Sequence, residues 1–125
     1  MIRLASEKKL LGRWGEEQAA AYLRSKGWKI VGMNYATRFG EIDVIAENRR
    51  YVAFVEVKLR KSDRFAAARE FVTQQKQERL RLAAESWLAA NETEKQPRFD
   101  VIEVYAPQGM DTVKPVLEHF ENAFM

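Results

Sequence analysis

The stretch Tyr51 to Lys58, YVAFVEVK, constrains the fold of this chain more than any other. In extended backbone, side chains alternate between the two faces of a sheet. Tyr51, Ala53, Val55 and Val57 therefore share one face, and Val52, Phe54, Glu56 and Lys58 share the other. Both faces begin apolar. A strand of that kind belongs in the middle of a sheet covered on both sides. Its C-terminal end departs from the pattern, because Glu56 and Lys58 stand where further apolar residues would continue the core.

The rest of the chain supplies the covering layers. Residues from about Ser6 to Lys26 read as a helix closed by Gly27, a residue suited to the left-handed position after a helix. Trp28 to Asn34 and Glu41 to Ala46 read as strands, and the polar turn Glu47-Asn48-Arg49-Arg50 joins the second of these to Tyr51–Lys58 as a hairpin. A second helix is expected from about Ala66 to Ala90, with Phe71, Val72, Leu80, Ala83, Ala84, Trp87 and Leu88 near helical spacing. Pro97 is expected to break the chain before a fourth strand, Arg98 to Tyr105. Val113 to Phe120 reads as a short fifth strand, placed at an edge by Pro115. Helix, three strands, helix, strand predicts an α/β fold: a mixed β-sheet flanked by helices.

The 125 residues, 46% hydrophobic and 31% charged, suit one domain spanning 1–125 and argue against a disordered chain. The longest uncharged stretch, Ile30 to Thr37, is far shorter than the roughly 20 residues of a membrane span. No secretory signal is apparent in MIRLASEKKLLGRW, so the expected location is cytoplasmic. There is no Cys and a single His, His119. Disulfides, thiolate chemistry and a zinc site of nitrogen and sulfur ligands are excluded on that composition. Any metal would be a hard cation held by oxygen. His119, Trp14, Trp28 and Trp87 are expected to serve packing or the surface.

Charge is distributed unevenly. Residues Lys58 to Arg81 carry net +5, whereas Leu82 to the C-terminus carries −5. A basic segment on a nearly balanced protein attracts phosphate backbones, although a solvated helix face explains it as simply.

The acids carry the chemistry. Glu41 and Asp43 share a strand face, and the hairpin can bring Asp43 beside Glu56. Two close carboxylates in a partly buried place repel unless a cation lies between them. Mg²⁺ or Mn²⁺ with oxygen ligands answers that need, and the main-chain carbonyl of Val57 offers one more ligand. The competing reading is a surface ion pair between Glu56 and Lys58 of little consequence. On the first helix Glu16 shares an arc with Gly12, Ala19, Ala20 and Leu23, while Glu17 lies with Arg13 and Arg24. A second apolar arc, Leu11, Trp14 and Tyr22, leaves open which side meets the sheet.

The runs GRWGEEQAAAYLRSKGW, GEIDVIA, FVEVKLR, RFAAAREFVTQQKQERL and RFDVIEV, in that order, resemble the YraN-like family of uncharacterised bacterial proteins. One departure is Ala66, where that family usually has Gly. The resemblance implies a restriction-endonuclease-like fold with an αβββαβ core and the PD-(D/E)-x-K nuclease signature, similar to archaeal Holliday-junction resolvases. Carried over, Asp43 and Glu56 match the signature's acids and Lys58 its lysine. Glu16 matches an acid of the first helix in the resolvase-like branch, and Glu41 falls inside the GEID motif without an assigned role.

The expectation that follows is a Mg²⁺- or Mn²⁺-dependent endonuclease hydrolysing phosphodiester bonds in DNA, with branched or damaged forms as candidate substrates and RNA left open. Asp43 and Glu56, with Glu16 and Val57, would hold the ion, which supplies a Lewis acid for phosphate and a more acidic water. Lys58 would orient or deprotonate the water, or stabilise developing negative charge. Arg60, Lys61 and Arg64, with Lys76 on the second helix, would hold backbone phosphates, reading shape rather than base sequence. A homodimer is left open. Two other classes compete: a nucleic-acid-binding module without turnover, and an interaction protein that docks its acidic C-terminal third on a basic partner.

Overall fold

The structure is a computed structural model that describes residues 4–61 and 72–124. Its elements are α1 (Leu4–Ser25), β1 (Lys29–Ala36), β2 (Glu41–Glu47), β3 (Tyr51–Arg60), α2 (Gln74–Ala90), β4 (Gln96–Tyr105) and β5 (Val116–Phe120), with a 3-10 turn at Gly109–Asp111 before the last strand. The expected order is the observed one. The sheet runs β1-β2-β3-β4-β5, antiparallel except for the central pair β3 and β4, which is parallel. A parallel pair needs a long crossover. Residues 61–95, including α2, provide it.

The apolar alternation of β3 is used as the sequence predicts. Ala53 and Val55 pack with Ala19, Leu23 and Trp28 from the α1 side, together with Ile102 and Val104 of β4. Val52 and Phe54 pack on the opposite face with Leu80, Ala83, Ala84 and Trp87 of α2. The sheet is thus the middle of three layers. The arc containing Glu16, Ala19, Ala20 and Leu23 is the one that meets the sheet, since both alanines and the leucine are fully buried. Trp14 and Tyr22 pack at its flank, and Glu17, Arg13 and Arg24 are exposed.

Two expectations are corrected. Pro97 lies within β4 rather than ahead of it. The Gln96 amide bonds to the Arg50 carbonyl on the β3 side, so position 97 turns its nitrogen toward β5, whose pairing begins only at Val101. No ladder bond is lost there, so a proline is tolerated. The second helix begins at Gln74, because Thr73 adopts extended backbone and its hydroxyl accepts the Lys76 N–H at 3.1 Å, capping the first turn. Residues 66–71 of the expected helix lie outside the described residues. β5 is an edge strand as expected, with Pro115 just before it. Among the described residues no helix is long and apolar enough to cross a membrane.

Candidate functional site

The acids gather where β2 and β3 part. Their ladder runs from Glu47–Val52 up to Val44–Val55. One position beyond it the side chain of Asp43 takes over from the main chain, its Oδ2 accepting the Val57 N–H at 2.9 Å. Val57 therefore enters the site through its amide. The end of β1 contributes Asn34, whose backbone is left-handed at φ 50°. Its amide donates to Glu16 Oε1 at 2.7 Å and to Glu41 Oε1 at 3.4 Å. Glu16, Glu41 and Asp43 each present a carboxylate oxygen within 4.8 Å of the others. Three consecutive elements, α1, β1 and β2, thus converge on one acidic spot.

Glu56 completes the group from β3 and is handled differently. Its carboxylate is 7% exposed and meets two ammonium groups on the same oxygen, Lys76 Nζ at 2.9 Å and Lys58 Nζ at 3.7 Å. Lys76 comes from the first turn of α2. A cavity of about 450 Å³ opens between that turn and the sheet, lined by Gly40, Glu41, Asp43, Glu56, Lys76 and Arg79 among others.

Burial, the Glu56 charge and the Glu16 charge together push the Asp43 carboxyl up to about 8, against the single lowering contact from the Val57 amide and the distant pull of Lys76. Glu16 is also raised, chiefly by burial, with Glu41 adding repulsion and Asn34 opposing it. Burial and the neighbouring Lys76 lower Lys58. For Lys76 burial works against the charge, yet the hydrogen bond and charge of Glu56 outweigh it and the group is raised. The site therefore holds acids that cannot all ionise, beside one lysine that sheds its proton more easily and one that keeps it.

The cations expected on a phosphate track are dispersed. Arg60 places its Nε 3.6 Å from Glu103 Oε2, a fully buried carboxylate on β4. Lys61 is exposed just beyond β3. Lys76 is engaged by Glu56 in the site itself. Arg64 lies outside the described residues.

Two features escaped the sequence reading. Asn34 was only the last residue of an expected strand, and nothing in its neighbours reveals that it bridges two acids. The RFD run conceals a second buried carboxylate. Asp100, fully buried, takes a two-pronged contact from Arg98 (3.0 and 2.8 Å), the Asn122 N–H at 2.9 Å and His119 Nε2 at 2.7 Å. His119 Nδ1 in turn lies 3.3 Å from the Tyr22 hydroxyl of α1. Despite its burial Asp100 is lowered, by His119 and Arg98 first and then the Asn122 amide.

The profile described as "Uncharacterised protein family UPF0102" matches residues 15–104, which include Glu16, Asn34, Glu41, Asp43, Glu56, Lys58 and Lys76. Curated proteins named only "UPF0102 protein" are similar along almost their whole length. One from Pelotomaculum thermopropionicum is 42% identical, covering 97% of this chain and 100% of its own. One from Syntrophomonas wolfei is 42% identical over 91% and 96%, and one from Nocardia farcinica 41% identical over 99% and 96%.

Proposed function

Because the chain belongs to the UPF0102 family, described only as uncharacterised, we propose a function from its site: a divalent-metal-dependent nuclease of the restriction-endonuclease-like kind, acting on DNA. One observation carries the reading. Asp43 is held beside Glu16, Glu41 and Glu56 with its carboxyl raised to about 8, so the group lacks a positive charge that the protein does not fully supply. The donors are all oxygen, which suits Mg²⁺ or Mn²⁺. Asp43 and Glu56 would hold the ion, with Glu16 and the Val57 carbonyl as further ligands and Glu41 at the exposed edge.

A bound divalent ion supplies a Lewis acid for a phosphate oxygen and makes a nearby water more acidic. The chain's own groups supply the rest. Lys58, whose proton is loosened by burial and by Lys76, stands 3.7 Å from Glu56 and takes or directs the proton of the attacking water. Asn34 fixes Glu16 and Glu41 so that neither has to reorganise during reaction. Lys61 and Arg64 remain the cations assigned to backbone phosphates, while Arg60 is committed chiefly to Glu103.

The test is a cleavage panel of single-stranded, duplex, flapped and four-way-junction DNA with Mg²⁺ or Mn²⁺. Cleavage should fall by at least about 100-fold in Asp43→Asn, Glu56→Gln and Lys58→Ala. Lys58→Ala should retain DNA binding. No cleavage of any substrate, or equal cleavage by wild type and variants after removal of contaminating nucleases, would refute the assignment.

A further inference from the structure

Lys76 was expected on the phosphate track, yet its ammonium makes the shorter of the two ion pairs on Glu56, 2.9 Å from Oε1. Its side chain is 40% exposed and lines the open cavity, whereas Lys58, on the same oxygen, is 3.7 Å away and 21% exposed. Lys58 is fixed on the strand that carries Glu56. Lys76 reaches across from the first turn of α2, so its tip can leave Glu56 without disturbing the sheet. An ammonium on that carboxylate oxygen and a divalent ion on the same oxygen repel each other and compete for its lone pairs.

We infer that Lys76 is a displaceable counter-ion, holding Glu56 until a divalent ion takes that oxygen and then presenting its freed ammonium to a backbone phosphate in the cavity. The inference rests on the metal-dependent reading above and adds an order to it, ion first and nucleic acid second. It also explains how one residue can belong to both the acidic site and the phosphate track. In the metal-free protein Lys76 keeps the site compact and blocks a phosphate from meeting uncompensated carboxylates.

The test uses the whole chain with Ca²⁺ or Mg²⁺ alone, titrated by calorimetry. Lys76→Met and Lys76→Gln should tighten ion binding by roughly fivefold to tenfold, because a competing charge at contact distance is removed. Arg79→Met alters the charge of the same cavity without touching the pair on Glu56, and should change affinity by less than about twofold. The lysine ammonium resonance lost in Lys76→Met should move in wild type when Ca²⁺ saturates the site. Fluorescence anisotropy with duplex DNA should show a gain in affinity on adding Ca²⁺ that is much reduced in Lys76→Met. Equal tightening in the Lys76 and Arg79 variants, or an unmoved resonance, would overturn the displacement while leaving the metal site standing. An equal Ca²⁺-induced gain in both proteins would overturn the capture of phosphate. Absence of ion binding in every protein would overturn this inference and the proposed function together.

Discussion

Asp43 and Asp100 are both carboxylates withdrawn from water in one small sheet, and they have opposite fates. Asp100 meets a guanidinium, an imidazole and a main-chain amide, and stays easily ionised. Asp43 meets one amide and other carboxylates, and resists ionisation until about pH 8. A buried charge completed by its own protein ties parts of the fold together, here β4, β5 and the segment after it. A buried charge left incomplete weakens the fold and creates affinity for an outside cation. The contrast separates an acid that the protein completes from one that it leaves open.

The strongest way to break that contrast is to remove the completed acid. Asp100→Ala should cost about 3–5 kcal/mol, because it takes the buried carboxylate from both Arg98 and His119 and leaves Arg98 only the exposed Glu121. Urea denaturation measures this, and a loss under about 1 kcal/mol would place the network among ordinary surface pairs. The opposite sign is expected at the other acid. Asp43→Asn in metal-free buffer above about pH 8 should stabilise the protein by about 1–3 kcal/mol, since an unpaired buried charge disappears. Destabilisation by this substitution would show that the carboxylate is completed after all.

Titration sharpens the same comparison. Asp43 is raised in the folded state, so the fold binds more protons than the unfolded chain between its ordinary value near 4 and about 8. The stability tied to Asp43 is therefore complete at low pH and is lost as pH rises through that window. Asp100 is lowered, so its contribution is present above the ordinary carboxylate range and is lost as pH falls through its folded value. Ion binding must expel the Asp43 proton. Calorimetric affinity for Mg²⁺ should accordingly rise by up to about tenfold, or about 1.4 kcal/mol, per pH unit below about 8 and level off above it. A flat profile from pH 6 to 8 would remove Asp43 from the ligand set.

The apolar alternation of YVAFVEVK was sufficient to place β3 at the centre, and the helical spacing of Ala19, Ala20 and Leu23 carried Glu16 with it toward the sheet. Those signals are legible because one periodicity decides which side is buried. Pairings across the fold are another matter. Glu56 meets Lys76, and Arg60 meets Glu103, across gaps set by the crossover and the parallel register of β3 on β4. Nothing local in the sequence distinguishes a lysine aimed at a carboxylate from one aimed at solvent. The site's acids could thus be read from strand faces, while the partners that set their electrostatics could not.

Asn34 has a consequence for which sequences can occupy this fold. Its backbone angle favours Gly, Asn or Asp, and its side-chain amide donates hydrogen bonds to two carboxylates. Glycine satisfies the angle and brings no donor. Aspartate satisfies the angle and adds a fourth negative charge to Glu16, Glu41 and Asp43. Glutamine has the amide but pays the strain of the left-handed region. Each of these replacements fails on one count, so substitution at position 34 should disturb the acidic spot even though its side chain carries no charge. A position constrained in that way marks the carboxylates around it as surely as their own charge does.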